Sequence, residues 1–281
     1  MNRRFQQLVI FTILLFQISA HGQSGDPELL DEFGNPNSEE TEADLLMAKA
    51  ELAKRPNSFL EFLIQRGQNQ TLGEPYRTFG IQKTYLLLNK VDKGRIISTF
   101  CGDLSTTKTQ VYLLDSLTQR HVCTPEIPKV ETSTLFISSL APNPRYELGT
   151  CCLVDNLGRA GTMEAVRAFA GLLAEHVNYS AYVVIYGGTN IYWTGDSRDR
   201  TIEVRHIDSP KYISELGESV RQVMLANRID RSRIITLVGG YRDTYASIDL
   251  WIIPPGGKRP KPAPNYFPRS HRRSTYRHRA N

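Results

Sequence analysis

A chain of 281 residues, 40% hydrophobic and 22% charged, is long enough for one large domain or two small ones. Those proportions exclude a collagen, a long coiled coil, a disulfide-dominated miniprotein and a wholly disordered chain. The formal net charge of +5 belongs to the ends: without Arg3, Arg4 and the eight Lys/Arg that follow Ile253, residues 25–253 carry −5.

In chain order, residues 1–24 read as a secretory signal. Arg3 and Arg4 precede the apolar block Leu8–Phe16, and small residues follow, with cleavage expected after Ala20 or Gly22. No apolar run reaches the 18 or more residues of a membrane span, so the mature chain is expected to have none. An exported chain is expected in the periplasm or cell envelope, where its four cysteines, Cys101, Cys123, Cys151 and Cys152, form disulfides. Three pairings are open. The bond between the adjacent Cys151 and Cys152 is the least favoured, because neighbours on a strand point to opposite faces and one of the two is free to reach Cys101 or Cys123. CxxC-type spacing is absent, so neither a metal nor a cofactor is expected.

The most informative feature is an internal repeat. Residues 85–114 and 223–252 align without a gap and are identical at eight of 30 positions, against about two by chance at average residue usage. Upstream, at a different offset, residues 56–69 match 177–190, and LLDEFGN (29–35) echoes LVDNLGR (153–159). Two copies of one unit are therefore expected at 28–116 and 146–254, joined by a linker at 117–145, with an insertion at 190–208 in the second. Each copy reads as an opening strand, a helix (Ala43–Lys54; Thr162–His176) and an apolar strand (Phe59–Gln65; Ala181–Tyr186). A second helix (Tyr76–Leu88; Lys211–Asn227) leads to two further strands, Arg95–Phe100 with Gln110–Leu114 and Arg233–Val238 with Ser247–Ile253. Helices alternating with buried strands imply an α/β sandwich, a mixed sheet with helices on one face, twice over.

Asp92 and Asp230 sit just past the second helix, where a carboxylate accepts backbone N–H groups. Arg95 and Arg233 open the next strand, placed to bond that aspartate or helix-end carbonyls. Duplication favours a structural role for all four, since a corner is needed twice and an active site usually once.

The runs AYVVIYGG (181–188), RIDRSRIITLVGGYRD (228–243) and SIDLWIIPPGG (247–257), in this element order, carry a resemblance. The chain resembles the OmpA-like (peptidoglycan-associated) periplasmic domain, and more closely a group of exported bacterial proteins that share those runs and have no assigned activity. The resemblance covers the second copy well and the first weakly. It implies a grip on the diaminopimelate of peptidoglycan by an aspartate in a GHTD-like turn and an arginine on the second helix. This sequence departs at both places. Asn190 and Asn69 occupy the aspartate position, and Leu216 and Thr78, the latter beside Arg77, occupy the arginine position.

Enzyme signatures such as HExxH, GxSxG, GxGxxG and GxxxxGK[ST] are absent, and no catalytic residue is expected. The insertion supplies the candidate ligand-binding residues Asn190, Tyr192, Trp193, Asp196, Arg198 and Arg200, suited to stacking on sugars or gripping carboxylates. Residues 255–281, proline-rich, basic and without acids, are expected to be a disordered tail that meets anionic envelope polymer; nucleic acid is not an expected partner after export. The sequence thus reads as a non-enzymatic envelope protein that binds peptidoglycan or another wall polymer, the alternative being a module for envelope protein partners.

Overall fold

A computed structural model describes residues 26–33, 38–123, 130–140, 153–196, 200–243 and 245–265; those described between 190 and 206 are described by backbone alone. The first unit comprises β1 (Glu28–Phe33), α1 (Ser38–Lys54), β2 (Phe59–Gly67), α2 (Glu74–Leu88), β3 (Ile96–Leu104) and β4 (Lys108–Leu114). The second comprises β5 (Thr134–Leu140), α3 (Leu153–Glu175), β6 (Ser180–Asp196), β7 (Arg200–Ile207), α4 (Pro210–Ala226), β8 (Ile234–Arg242) and β9 (Ser247–Ile253).

The two sheets have equivalent orders, β1-β4-β2-β3 and β5-β9-β6-β8, with β7 pairing on the extension of β6. In each, the last strand runs antiparallel to two neighbours, and the central strand pairs in parallel with the strand after the second helix. The fold is α/β, with two mixed sheets and four α-helices among the described residues.

Alternation decides which face each sheet gives its helices. Leu60, Phe62 and Ile64 of β2 join Leu45 and Leu52 of α1 and Phe79 and Leu86 of α2 in the first core. Ala181, Val183 and Ile185 of β6 join Phe169 and Leu173 of α3 and Ile213, Leu216, Val220 and Met224 of α4 in the second. The spacing of the α4 residues is the stripe of an amphipathic helix. Ser209 caps that helix, its Oγ accepting the Tyr212 N–H at 3.2 Å, and Pro210 begins it.

The units meet at α2 and α3. A Cβ on Gly80 would lie 2.8 Å from the Cα of Gly161, and one on Gly161 only 2.5 Å from the Arg77 carbonyl oxygen, so both glycines permit close approach of the two backbones. Lys83 and Glu164 pair across the crossing at 3.4 Å, and the Gly73 N–H donates to the Phe136 carbonyl of β5 at 2.7 Å.

Several expectations need correction. The opening strand of the second unit is not 153–159 but β5, which lies inside the segment read as a linker, 117–145. Residues 153–159 instead begin α3, because Leu157 is buried in the core of the first unit. Most of the insertion 190–208 is regular structure: β6 runs on to Asp196 and pairs with β7 as a hairpin. The ungapped match also slips by one residue in the last strand. Glu61 opposes Tyr112 and the equivalent Tyr182 opposes Trp251, so the β8–β9 turn holds one residue more than the β3–β4 turn.

Candidate functional site

The residues that repeat between the units make the same local structure twice. Asn89 and Asn227 end the second helices, each Nδ2 donating to the carbonyl four residues back, Tyr85 at 2.9 Å and Val223 at 2.8 Å. Lys90 and Arg228 follow in the left-handed region, with φ of 66° and 63°. The Val91 and Ile229 N–H groups then reach back to the Leu86 and Met224 carbonyls, closing the helix end as a Schellman turn. Asp92 Oδ1 accepts the Gly94 N–H at 2.8 Å, and Asp230 Oδ1 accepts the Ser232 N–H and hydroxyl, each at 2.7 Å. The two Ser232 bonds hold the Asp230 carboxyl below the ordinary aspartate range.

The arginines of these corners bond neither the aspartate side chain nor the helix just ended. Arg95 donates to the carbonyls of Leu52, Arg55 and Ser58 at 3.1, 2.6 and 2.8 Å. Arg233 donates to those of Leu173, His176 and Tyr179 at 2.6, 2.8 and 2.8 Å. Each guanidinium thus ties the end of the first helix in its unit to the start of the central strand, where carbonyls lack intrahelical partners. All four corner side chains hydrogen-bond within the fold.

The positions that the family resemblance assigns to a ligand are not assembled as such a site. Asn190 lies within β6, opposite His206, and not in a turn. Leu216 is buried in the second core. In the first unit Asn69 is exposed in a turn closed by the Gln70 N–H on the Gly67 carbonyl, while Arg77 is held by Glu74 at 2.6 and 2.9 Å.

Of the other candidate residues, Tyr192 and Trp193 pair in register with Val204 and Glu203, and Asp196 with Arg200. Arg198 lies outside the described residues. The base of this hairpin is built firmly around buried Asp208. Its Oδ2 accepts the Gly188 N–H at 2.7 Å, its own N–H donates to the Gly188 carbonyl, and its carbonyl accepts the Tyr241 hydroxyl at 3.2 Å. Thr189 Oγ1 donates to Asp243 Oδ1 at 2.9 Å beside it.

Two buried polar clusters, not foreseen as sites, lie on the sheet faces away from the helices. On the first sheet, the carboxylate of Glu61 is wholly buried. It accepts the Thr99 hydroxyl, lies 2.8 Å from His121 Nδ1 and accepts the His121 backbone N–H. The His121 ring packs on Tyr112, and Arg120 donates to Thr99 Oγ1 and the Ser98 carbonyl. Residues 115–123 therefore cross the outer face of this sheet, and the Cys101–Cys123 disulfide pins their far end to β3. Cys151 and Cys152 lie outside the described residues.

On the second sheet, Arg242 grips Asp249 through two bonds of 2.7 and 3.0 Å, with its guanidinium 3.6 Å above the Tyr186 ring. Ser138 donates to Asp249 Oδ1 at 2.6 Å. Burial pushes the Tyr186 phenol up, opposed by the Ala263 N–H bond to its oxygen. That bond also overturns the expectation of a tail free from 255 onward: residues through Asn265 are placed against the second sheet. Glycines in β6 and β8 serve packing and a bulge. A Cβ on Gly239 would strike Val184 and Tyr186, one on Gly187 would strike Ile213 and Tyr241, and Gly240 takes φ +101° at the β8 bulge.

An acid interrupts an apolar strand in both FLEFLI and SIDLWII, the one sequence signal for these clusters. Their partners lie too far along the chain to be inferred from that signal. Among the described residues no group of three metal-ligating side chains converges, and no helix is long and apolar enough to cross a membrane. No protein-family model, no curated protein and no solved structure matches the chain.

Proposed function

We propose that this chain is an exported, non-enzymatic protein of the cell envelope, built from two OmpA-like units, that binds or scaffolds at peptidoglycan or another anionic wall polymer. One observation carries the reading. The residues common to both units, Asn89/Asn227, Asp92/Asp230 and Arg95/Arg233, are all occupied in holding the fold. The second unit departs from the first in the β6–β7 hairpin, at the place where the family holds its ligand. Contact through the hairpin, with the five arginines after Asn265 adding attraction to an anionic polymer, is consistent with that division. With asparagine and buried leucine at the family's anchor positions, recognition would rest on hydrogen bonding and stacking more than on a diaminopimelate ion pair.

A second reading, an interaction module for envelope proteins, is favoured by one feature. Strand β8 pairs only with β6 among the described strands and exposes Leu237 and Val238, an apolar edge of the kind that partner chains cover. Co-sedimentation of the mature chain with purified peptidoglycan separates the two. Retention that weakens as salt rises supports wall binding with a contribution from the tail. No retention at low salt would remove wall binding and leave the β8 edge.

A further inference from the structure

The central residues of the second sheet's outer face, Tyr182, Val184 and Tyr186, are almost completely buried although none of the described helices packs on that side. The chain leaving β9 turns at Pro254–Gly257, where the Gly257 N–H donates to the Pro254 carbonyl and Gly256 takes φ +75°. It then returns to the sheet as KRPKPAPN, residues 258–265, in which Pro260, Pro262 and Pro264 are half-buried while Lys261, Ala263 and Asn265 are exposed. That alternation is the signature of an extended segment lying with one edge on a surface.

The hydrogen bonding is that of a recognised peptide. In Pro262–Asn265 the prolines have no N–H, so only Ala263 and Asn265 offer backbone donors. Both are taken: Ala263 N–H donates to the Tyr186 hydroxyl at 3.1 Å, and Asn265 N–H to the Tyr241 carbonyl at 3.2 Å. The Asp243 N–H returns a bond to Asn265 Oδ1 at 2.8 Å. Pro264 approaches Gly240, where a Cβ would lie only 3.2 Å from the ring. At the entry, the Ser133 hydroxyl donates to the Lys258 carbonyl. Register is therefore fixed at both ends by polar contacts and between them by prolines.

We propose that the outer face of the second sheet is a docking groove for an extended, proline-alternating peptide, that residues 258–265 are its occupant in cis, and that a partner segment of the same chemistry displaces them. Tyr186 is the central recognition residue: its hydroxyl accepts the peptide N–H while Arg242, paired with Asp249, stacks over the face of its ring. Proline suits such a ligand because its fixed φ lowers the entropy lost on docking.

The test uses the full mature chain and a labelled peptide of sequence KRPKPAPN, with binding followed by fluorescence anisotropy. In a full-length variant carrying Pro260→Ser, Pro262→Ser and Pro264→Ser, the groove is vacated and the peptide binds saturably. The unaltered chain binds it about tenfold more weakly, the factor by which a tethered local concentration of about 1 mM exceeds a dissociation constant of about 100 μM. Adding Tyr186→Phe to the variant weakens binding about fivefold, the loss of one hydrogen bond. A variant with the circular dichroism of the unaltered chain that binds no peptide at 1 mM, or equal binding by both chains, would overturn the proposal. Should the variant not fold, amide exchange in the unaltered chain decides. Protection of the Ala263 and Asn265 amides relative to the free peptide, lost on adding excess peptide, supports the groove; exchange at the free-peptide rate sinks it.

Discussion

Arg95 and Arg233 show what one side chain can do in a duplicated fold. Each spans three carbonyls that belong to a helix end and to the lead-in of the central strand. Arg233→Ala leaves those carbonyls without their charged donor and should cost about 2–3 kcal/mol in urea unfolding, with Arg95→Ala similar in direction. Lysine, a point donor on a flexible stem, should recover less than half of the loss. A cost below about 0.5 kcal/mol for Arg233→Ala, the range of an ordinary surface change, would show that the corner does not depend on it. At this scale the sequence was legible where it repeats: matched Asn, Asp and Arg residues disclosed two equivalent corners. The acceptors were not legible, because they lie 37 to 60 residues away in the chain. The same separation hid the partnership of Glu61 with His121, although an acid inside FLEFLI was visible.

Among the elements, the second helices and central strands followed from apolar spacing, while the first helices begin earlier than that spacing indicated, at Ser38 and Leu153. The opening strand of the second unit did not follow. Among the described strands β5 pairs with β9 alone, and it carries a register shift between Leu135 and Ile137, which breaks the alternation that marks a strand. β1 has the corresponding shift between Leu29 and Asp31, so the irregularity belongs to the unit and not to one copy. The early start of α3 was illegible for a different reason: Leu157 is buried by the other unit, a contact with no local signal. The α2–α3 crossing makes a sharp prediction. Gly161→Ala drives a methyl to within 2.5 Å of the Arg77 carbonyl, so the helices must separate. Overpacking of this kind should cost about 1–3 kcal/mol, despite the higher helix propensity of alanine. Thermal unfolding of the variant at an unchanged or higher Tm would contradict that close approach.

Across the whole molecule, the two units present their helices to one another at the α2–α3 crossing and have segments laid over their outer faces. Residues 115–123 cross the first sheet and are pinned by the Cys101–Cys123 bond; residues 258–265 return over the second without a covalent tie. The charge asymmetry seen in the sequence gains a finer boundary. Lys258, Arg259 and Lys261 lie exposed on the returning segment, and five further arginines follow Asn265 in the sequence. The proposed division, in which repeated residues hold the fold and the unrepeated hairpin binds a wall polymer, is tested most directly by removing the hairpin. Co-sedimentation with peptidoglycan is measured for residues 25–281 and for the same chain in which 190–206 is replaced by a two-residue Asn-Gly turn. Retention of the first, and at least tenfold weaker retention of the second with its Tm within about 4 °C, is the expected outcome. Equal retention of both chains would contradict it.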